Sequence, residues 1–358
     1  MQTIHQFVAG FRSGDAISNA AMSMRGVFRS WGCKSDILTS PNAISLDMRD
    51  VGRDMYEASK ELGPNDVAVL HLSIGNKVNL LFKDLKCRKV IVYHNITPSK
   101  YFKLLSPSTA ADLDEGRRQL KMLAGTADIN LADSAYNAAE LVEAGYKDPK
   151  VLKLPISLEQ FTTTARDEHT QHLLGGGVHN ILFVGRLAPN KKIEDLLTVM
   201  YYLNKVEPNT RLIHVGSQAG AEAYYGMIQA RCNILALKNV MLLKGVTQKA
   251  LNTCYACASV FLCMSEHEGF CAPLIEAMLY HVPVMALGSS AVPETLDGAG
   301  VLFGTPPDYP VIAETIAEVL HNQDLRAKII ARQEKRIEAI RNRDLAADMR
   351  PLFAPVLA

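Results

Sequence analysis

Short apolar, β-rich runs alternate with amphipathic stretches of helical length along nearly the whole chain, and they do so in two blocks. In the first block the runs fall at residues 3–9, 35–39, 67–73, 89–94, 128–132 and 151–156. Helical patterns lie between them at 15–31, 76–85, 112–123 and 134–144. Many of the runs are continuously apolar, as expected for parallel strands covered by helices on both faces. Such a series predicts a doubly wound α/β domain. A polar stretch then interrupts it, with Thr162-Thr163-Thr164 and Gly175-Gly176-Gly177. This reads as a linker over 161–179. The alternation restarts, with runs at 180–185, 211–216, 240–245, 260–265, 282–287 and 300–303, and helices at 193–203, 221–236, 273–280 and 293–296. The expected organisation is an α/β domain over 1–160, a second over 180–340, and a helical tail, 341–358, returning toward the first domain. A length of 358 residues suits two cores better than one.

Composition narrows the function classes. The formal net charge is only +1, so the basic excess of a nucleic-acid-binding protein is absent. No apolar stretch approaches the length that crosses a bilayer. The opening Met1-Gln2-Thr3-Ile4-His5-Gln6 lacks a signal-peptide pattern, and a cytoplasmic location is expected. Seven scattered cysteines do not form a disulfide framework. Cys254 and Cys257 make a lone CxxC, read here as structural thiols ahead of a metal or redox pair. His71 and His214 lie inside apolar runs and read as structural. His169, His172 and His179 fall in the linker without matching ligands, so no metal site is expected.

Two parallel-sheet domains facing each other would line a cleft with the loops that follow their strands. The most informative loop runs from Ser265 to Met278. A strand ends there, an acidic glycine-containing segment follows, and Pro273 suits the first position of a helix. Unpaired amides at that helix start favour an anion, and Glu268 and Glu276 frame it. Two readings fit: an acidic cluster serving the helix dipole, or a site for a ligand with both hydroxyls and phosphates. A second stretch favours the ligand. Arg186 and Lys192 follow the first strand of the second domain, offering a forked donor and a point charge to a diphosphate. Lysine at a helix start opposes the dipole, which weakens a purely structural role.

With these residues in view the chain resembles the retaining enzymes of glycosyltransferase family 4, whose fold is GT-B. The resemblance rests on Glu268 and Glu276 with seven residues between them, and on Gly185-Arg186 followed after five residues by Lys192. It extends to Gly14-Asp15, Tyr93-His94-Asn95-Ile96-Thr97-Pro98 after the fourth run, Asp133-Ser134 with Asn137, and Pro293-Glu294. It implies that Glu276 binds the nucleotide ribose and that Glu268 holds sugar hydroxyls, helped by the backbone of Gly269, Phe270, Cys271 and Ala272. Arg186 and Lys192 would neutralise the diphosphate, and His94 would face the donor sugar. Gly14 would let the first loop approach the phosphates, Gly185 opens the cationic loop, and Val246 would meet the base through its backbone. The implied reaction needs no metal and no cofactor besides a GDP- or UDP-linked sugar as co-substrate.

The form Ala188-Pro189-Asn190-Lys191-Lys192 is similar to bacterial enzymes of surface-polysaccharide synthesis, which points to a mannosyl or glucosyl donor. The acceptor would be a saccharide or a lipid-linked saccharide. Lys77, Lys83, Lys86, Arg88 and Lys89, around the helix at 76–85, suit either an ordinary solvated face or peripheral contact with the inner face of an anionic membrane. A nucleotide-sugar-binding protein without transfer activity, or an epimerase or phosphorylase of the same fold, is the alternative. No P-loop, GxSxG or GxGxxG motif occurs.

Overall fold

The computed structural model describes residues 1–156, 158–161 and 165–357; Ser157 and the Thr162-Thr163-Thr164 run of the expected linker lie outside the described residues. The chain divides into two compact units. Unit one comprises Met1–Lys100, Ser108–Ser157 and Arg343–Ala358, and unit two comprises Tyr101–Pro107 and Leu158–Asn342.

Unit one is built on strands β1 (Ile4–Val8), β2 (Ile37–Thr39), β3 (Gly52–Asp54), β4 (Val67–Leu72), β5 (Arg88–Tyr93), β6 (Ile129–Ala132) and β7 (Lys150–Val151). They pair in parallel in the order β3-β2-β1-β4-β5-β6-β7. Helices α1 (Ala16–Ser30), α2 (Met55–Ala58), α3 (Lys77–Asp84), α4 (Pro107–Leu123) and α5 (Ala135–Glu143) connect them. The polar Gly52-Arg53-Asp54 gives no apolar signal, so β3 was not foreseen, and His94 follows the fifth strand instead of the fourth. β7 has two residues where a run over 151–156 was expected. It is an edge strand, and Pro155 has no N–H to extend its ladder.

Unit two repeats the plan with β8 (His179–Val184), β9 (Thr210–Val215), β10 (Val240–Leu243), β11 (Val260–Cys263), β12 (Val284–Leu287) and β13 (Val301–Phe303). The order is β10-β9-β8-β11-β12-β13, again all parallel. Its helices are α6 (Glu168–Leu174), α7 (Ile193–Val206), α8 (Glu222–Ile234), α9 (Gln248–Ala256), α10 (Ala272–Leu279), α11 (Val292–Leu296), α12 (Tyr309–His321) and α13 (Gln323–Arg341). In each sheet the strand order reverses beside the first strand, which is where doubly wound sheets bind ligands. The expected linker is not extended throughout: α6 occupies part of it. Asp167 caps α6 by accepting the Thr170 N–H, Leu174 is buried, and Arg211 donates to the Leu173 carbonyl at 3.0 Å.

Side-chain caps explain why several helices start where they do. Asp15, Asn76, Ser134, Thr247, Asp308 and Asn322 each accept a backbone N–H from the first turn. Each such cap stabilises by about 1 kcal/mol. The last helix, α14 (Leu345–Phe353), belongs to unit one. Its Met349 and Phe353, with Val356 beyond it, join a core that contains Ile4, Phe28, Val67, Val69, Val90 and Leu131. Phe353 meets Phe28 edge-on at 5.2 Å and Trp31 at 6.3 Å, and the Gln2 side-chain amide donates to the Val356 carbonyl at 2.9 Å.

Candidate functional site

The carboxyl ends of β8, β9 and β10 open onto a cavity of about 1100 Å³. Val184, Gly185 and Arg186 line it from β8, Gly216, Ser217 and Gln218 from β9, and Lys244, Gly245 and Val246 from β10. Arg186 and Lys244 are exposed, and among the described residues neither has an acidic partner. Glu222, in the first turn of α8, is the carboxylate on its wall. Among the described residues the cavity therefore offers two unneutralised cations beside apolar side chains such as Val184, Val215 and Val246. Two glycines make the strand ends fit. A Cβ on Gly216 would lie 1.9 Å from the Gly185 carbonyl oxygen, so only glycine allows the β8 and β9 ends to approach this closely.

The Gly185 carbonyl is also held by His214, whose Nε2–H donates to it at 2.9 Å while its ring stacks on Phe183. Burial pushes His214 down to about 4, and the bond to Gly185 resists this. The sign follows. Between pH 6.5 and 4 the unfolded imidazole binds a proton that the folded one refuses, so stability falls with acidification across that window. The loss reaches up to about 3 kcal/mol. Urea unfolding from pH 7 to pH 4 checks it: His214→Leu should flatten the slope relative to the native chain, and an unchanged slope would refute the assignment.

On the other side of the switch point, β11 leads into the acidic loop and α10. Helix α10 begins at Ala272, one residue before the expected Pro273, because Cys271 adopts a left-handed φ of 72° and serves as N-cap. Among the described residues, the N–H groups of Phe270, Cys271 and Ala272 find no acceptor. They remain available to a ligand. The loop is fixed from behind. The Glu268 N–H donates to Ser290 Oγ at 2.8 Å, the Ser289 hydroxyl bonds the Ser265 carbonyl, and the Thr295 hydroxyl bonds the Phe270 carbonyl. The Asn190 side-chain amide donates to the His267 carbonyl at 3.1 Å, tying this loop to the one after β8.

The lysine pair divides its work in a way the spacing did not show. Lys191, not Lys192, meets Glu268, with Nζ 2.6 Å from Oε2. Burial works against the Lys191 charge, but Glu268 outweighs it and the ammonium is raised above its ordinary value. Lys192, in a left-handed N-cap conformation, pairs with Glu194 at 3.2 Å and Glu266 at 3.5 Å. Its charge is thus already shared by two carboxylates. Cys263 and Cys271 lie 4.0 Å apart beside Glu268; the hydrogen bond between them and burial keep Cys271 a thiol. Gly269 is half-buried in the loop. Glu276 accepts from the Tyr255 hydroxyl at 2.6 Å. Its residue keeps some solvent contact, yet the dense surround of its carboxyl pushes it up to about 7, against the Tyr255 bond. Cys254 and Cys257 are free thiols raised by burial.

In unit one, His94 ends a polar stripe that crosses three neighbouring strands, β1, β4 and β5. The register pairs Gln6 with Val69 and His71 with Val92, so Gln6, His71 and His94 step diagonally along one face of the sheet. Gln6 donates to the Ala21 carbonyl at 2.9 Å, which leaves its Oε1 to accept from His71 Nε2 at 3.0 Å. His71 Nδ1 then accepts from His94 Nε2 at 2.8 Å, and His94 Nδ1 lies 2.9 Å from Asp133 Oδ2. Burial and the neighbouring His94 push His71 well below its ordinary value, so it is neutral. His71 is therefore more than a strand filler: its acceptor orients His94. Gly14 is exposed with φ +75° just before the Asp15 cap, where a left-handed turn requires glycine. On α3, Val78 and Phe82 are buried while Lys77, Leu80 and Lys83 are exposed. Lys89 is not a surface cation; it is buried on β5 and donates to the Lys83 carbonyl.

Residues 165–336 match the family model described as glycosyl transferases group 1. A structure of Anabaena Alr3699/HepE with UDP and glucose superposes with a TM-score of 0.75 at 16% identity, covering 99% of both chains. The fold is GT-B. Among curated relatives, a GDP-mannose-dependent alpha-mannosyltransferase from Mycolicibacterium smegmatis is 30% identical over 163 residues, 45% of this chain and 39% of its own length. An O-antigen chain mannosyltransferase B from Escherichia coli is 30% identical over 153 residues, 42% of this chain and 39% of its own. The chain thus spans about two fifths of the length of these relatives. No helix among the described residues is long and apolar enough to cross a membrane.

Proposed function

We propose that this protein is a metal-independent, retaining glycosyltransferase of family 4 type that moves a hexosyl group, mannose or glucose, from a GDP- or UDP-linked sugar to a saccharide or lipid-linked saccharide hydroxyl. The observation that carries the proposal is the cavity at the ends of β8–β10, where Arg186 and Lys244 have no acidic partner among the described residues. The mannosyltransferase names of the relatives above support the sugar class. Breaking the anomeric bond leaves negative charge on the departing diphosphate. Fixed cations and helix amides stabilise that charge without reorganising. Arg186 and Lys192 keep the roles implied by the resemblance, and Lys244 joins them. Phe270, Cys271 and Ala272 offer amides, Glu268 accepts from sugar hydroxyls, Glu276 from the ribose, and Val246 lies where a base would be read. Gly14 and His94 keep the roles that the resemblance implies. Peripheral contact with an anionic membrane through the exposed side of α3 is part of the proposal; failure to sediment with anionic liposomes would remove it.

A panel of GDP- and UDP-sugars should raise the melting temperature for the true donor, since a ligand bound to the folded state alone stabilises it. Turnover with that donor should fall by about 10²–10³-fold in Arg186→Ala, the effect of losing one preorganised charge partner of the transition state. Donor binding without any transfer would instead favour a nucleotide-sugar-binding protein. Full turnover in Arg186→Ala would sink the assigned site.

A further inference from the structure

We propose that His179, Glu207 and His321 form a zinc-type divalent-metal site at the amino-terminal edge of the second sheet, independent of the transfer reaction. The three residues come from separate elements. His179 opens β8, Glu207 is the C-cap of α7, and His321 is the last residue of α12. One ligand atom from each lies within 4.8 Å of the others. His321 Nε2 already meets Glu207 Oε2 at 2.6 Å, and the two imidazole rings stand 5.9 Å apart at 86°. Tetrahedral zinc with ligands at roughly 2.0–2.2 Å holds its donor atoms about 3.4 Å apart. Closing the site therefore asks for about an ångström of side-chain movement.

The scaffold beneath is fixed. The Asn209 carbonyl accepts the His179 N–H at 2.9 Å, and the Asn209 N–H donates to Glu207 Oε1 at 3.2 Å. One residue thus holds two of the ligands, leaving Glu207 Oε2 directed at His321. Two imidazoles and one carboxylate suit zinc better than magnesium or calcium, which prefer all-oxygen shells. Three protein ligands leave a fourth position for water. The other such cluster among the described residues, Cys263, Glu268 and Cys271, holds the Lys191 ammonium against Glu268, which opposes a cation there.

The location sets the role. β8 runs from His179 toward the cavity at Val184, so the two sites lie at opposite ends of one strand, about 17 Å apart. Metal at this edge would clip the start of β8 to the carboxyl ends of α7 and α12, a structural clamp remote from the donor. Positions 179, 207 and 321 share no local spacing, which is why the sequence offered His179 no partners.

Isothermal titration of the full chain with zinc chloride, and cobalt(II) substitution followed by absorption, test the proposal. Saturable binding of one metal per chain, a raised melting temperature, no response to magnesium and a cobalt spectrum without thiolate charge transfer are expected. His179→Ala and His321→Ala, both at accessible positions, should each weaken binding at least tenfold. Lack of saturable binding, binding unchanged in either variant, or a thiolate charge-transfer band would overturn it.

Discussion

Lys191→Met should destabilise the protein by about 3–5 kcal/mol, the cost of stranding a buried charge by removing its partner. The Glu268 side chain is only 8% exposed and that of Lys191 18%, so solvent screening recovers little of the loss. The two thiols flanking Glu268 cannot replace the ammonium, because Cys271 is held protonated and uncharged. Glu268→Gln should be costly in the same sense. The double variant should be milder than the sum of the two, since it removes the pair without leaving either charge alone. Urea unfolding of all four proteins at pH 7, with unchanged m values, measures the coupling. A Lys191→Met cost below about 1 kcal/mol would mean that the pair behaves as an exposed one. The pH dependence has a definite sign. The folded ammonium is raised above the ordinary lysine value of 10.5, so its contribution is fully present below that pH and is lost only as pH climbs through the higher folded value.

Phe353→Ala should cost about 3–5 kcal/mol, the range for deleting a fully buried aromatic. Its ring has no solvent exposure and packs edge-on against Phe28 and Trp31. The void would open in unit one, which this helix covers from the far end of the sequence. Chemical unfolding monitored by Trp31, the single tryptophan and a direct neighbour of the lost ring, should report the change. A cost near zero would show that α14 is dispensable to that core.

The α/β alternation was legible because buried parallel strands write continuous apolar runs, and most elements fall within a few residues of the expected bounds. β3 escaped because an edge strand of Gly52-Arg53-Asp54 buries no apolar stripe. The candidate site was legible in part. Strand ends, the Pro273 helix start and the charged residues around them are local signals. The partner of Glu268 was not: adjacent lysines look alike in sequence, and only the left-handed turn at Lys192 decides that Lys191 faces Glu268. The stripe from Gln6 through His71 to His94 depends on strand register, which no single run contains. Gly216 is informative only once β8 and β9 are known to be neighbours.

The return of α14 to unit one has a consequence for synthesis. The strands of that unit leave the ribosome well before Leu345, and all of Leu158–Asn342 is made in between. At roughly 5–20 residues per second the nascent unit waits on the order of 10–40 s for the helix that covers Ile4, Phe28 and Val67. During that interval an apolar face remains open on the growing chain, so the second unit is expected to fold before the first is finished. Order of emergence and order of completion are thereby reversed.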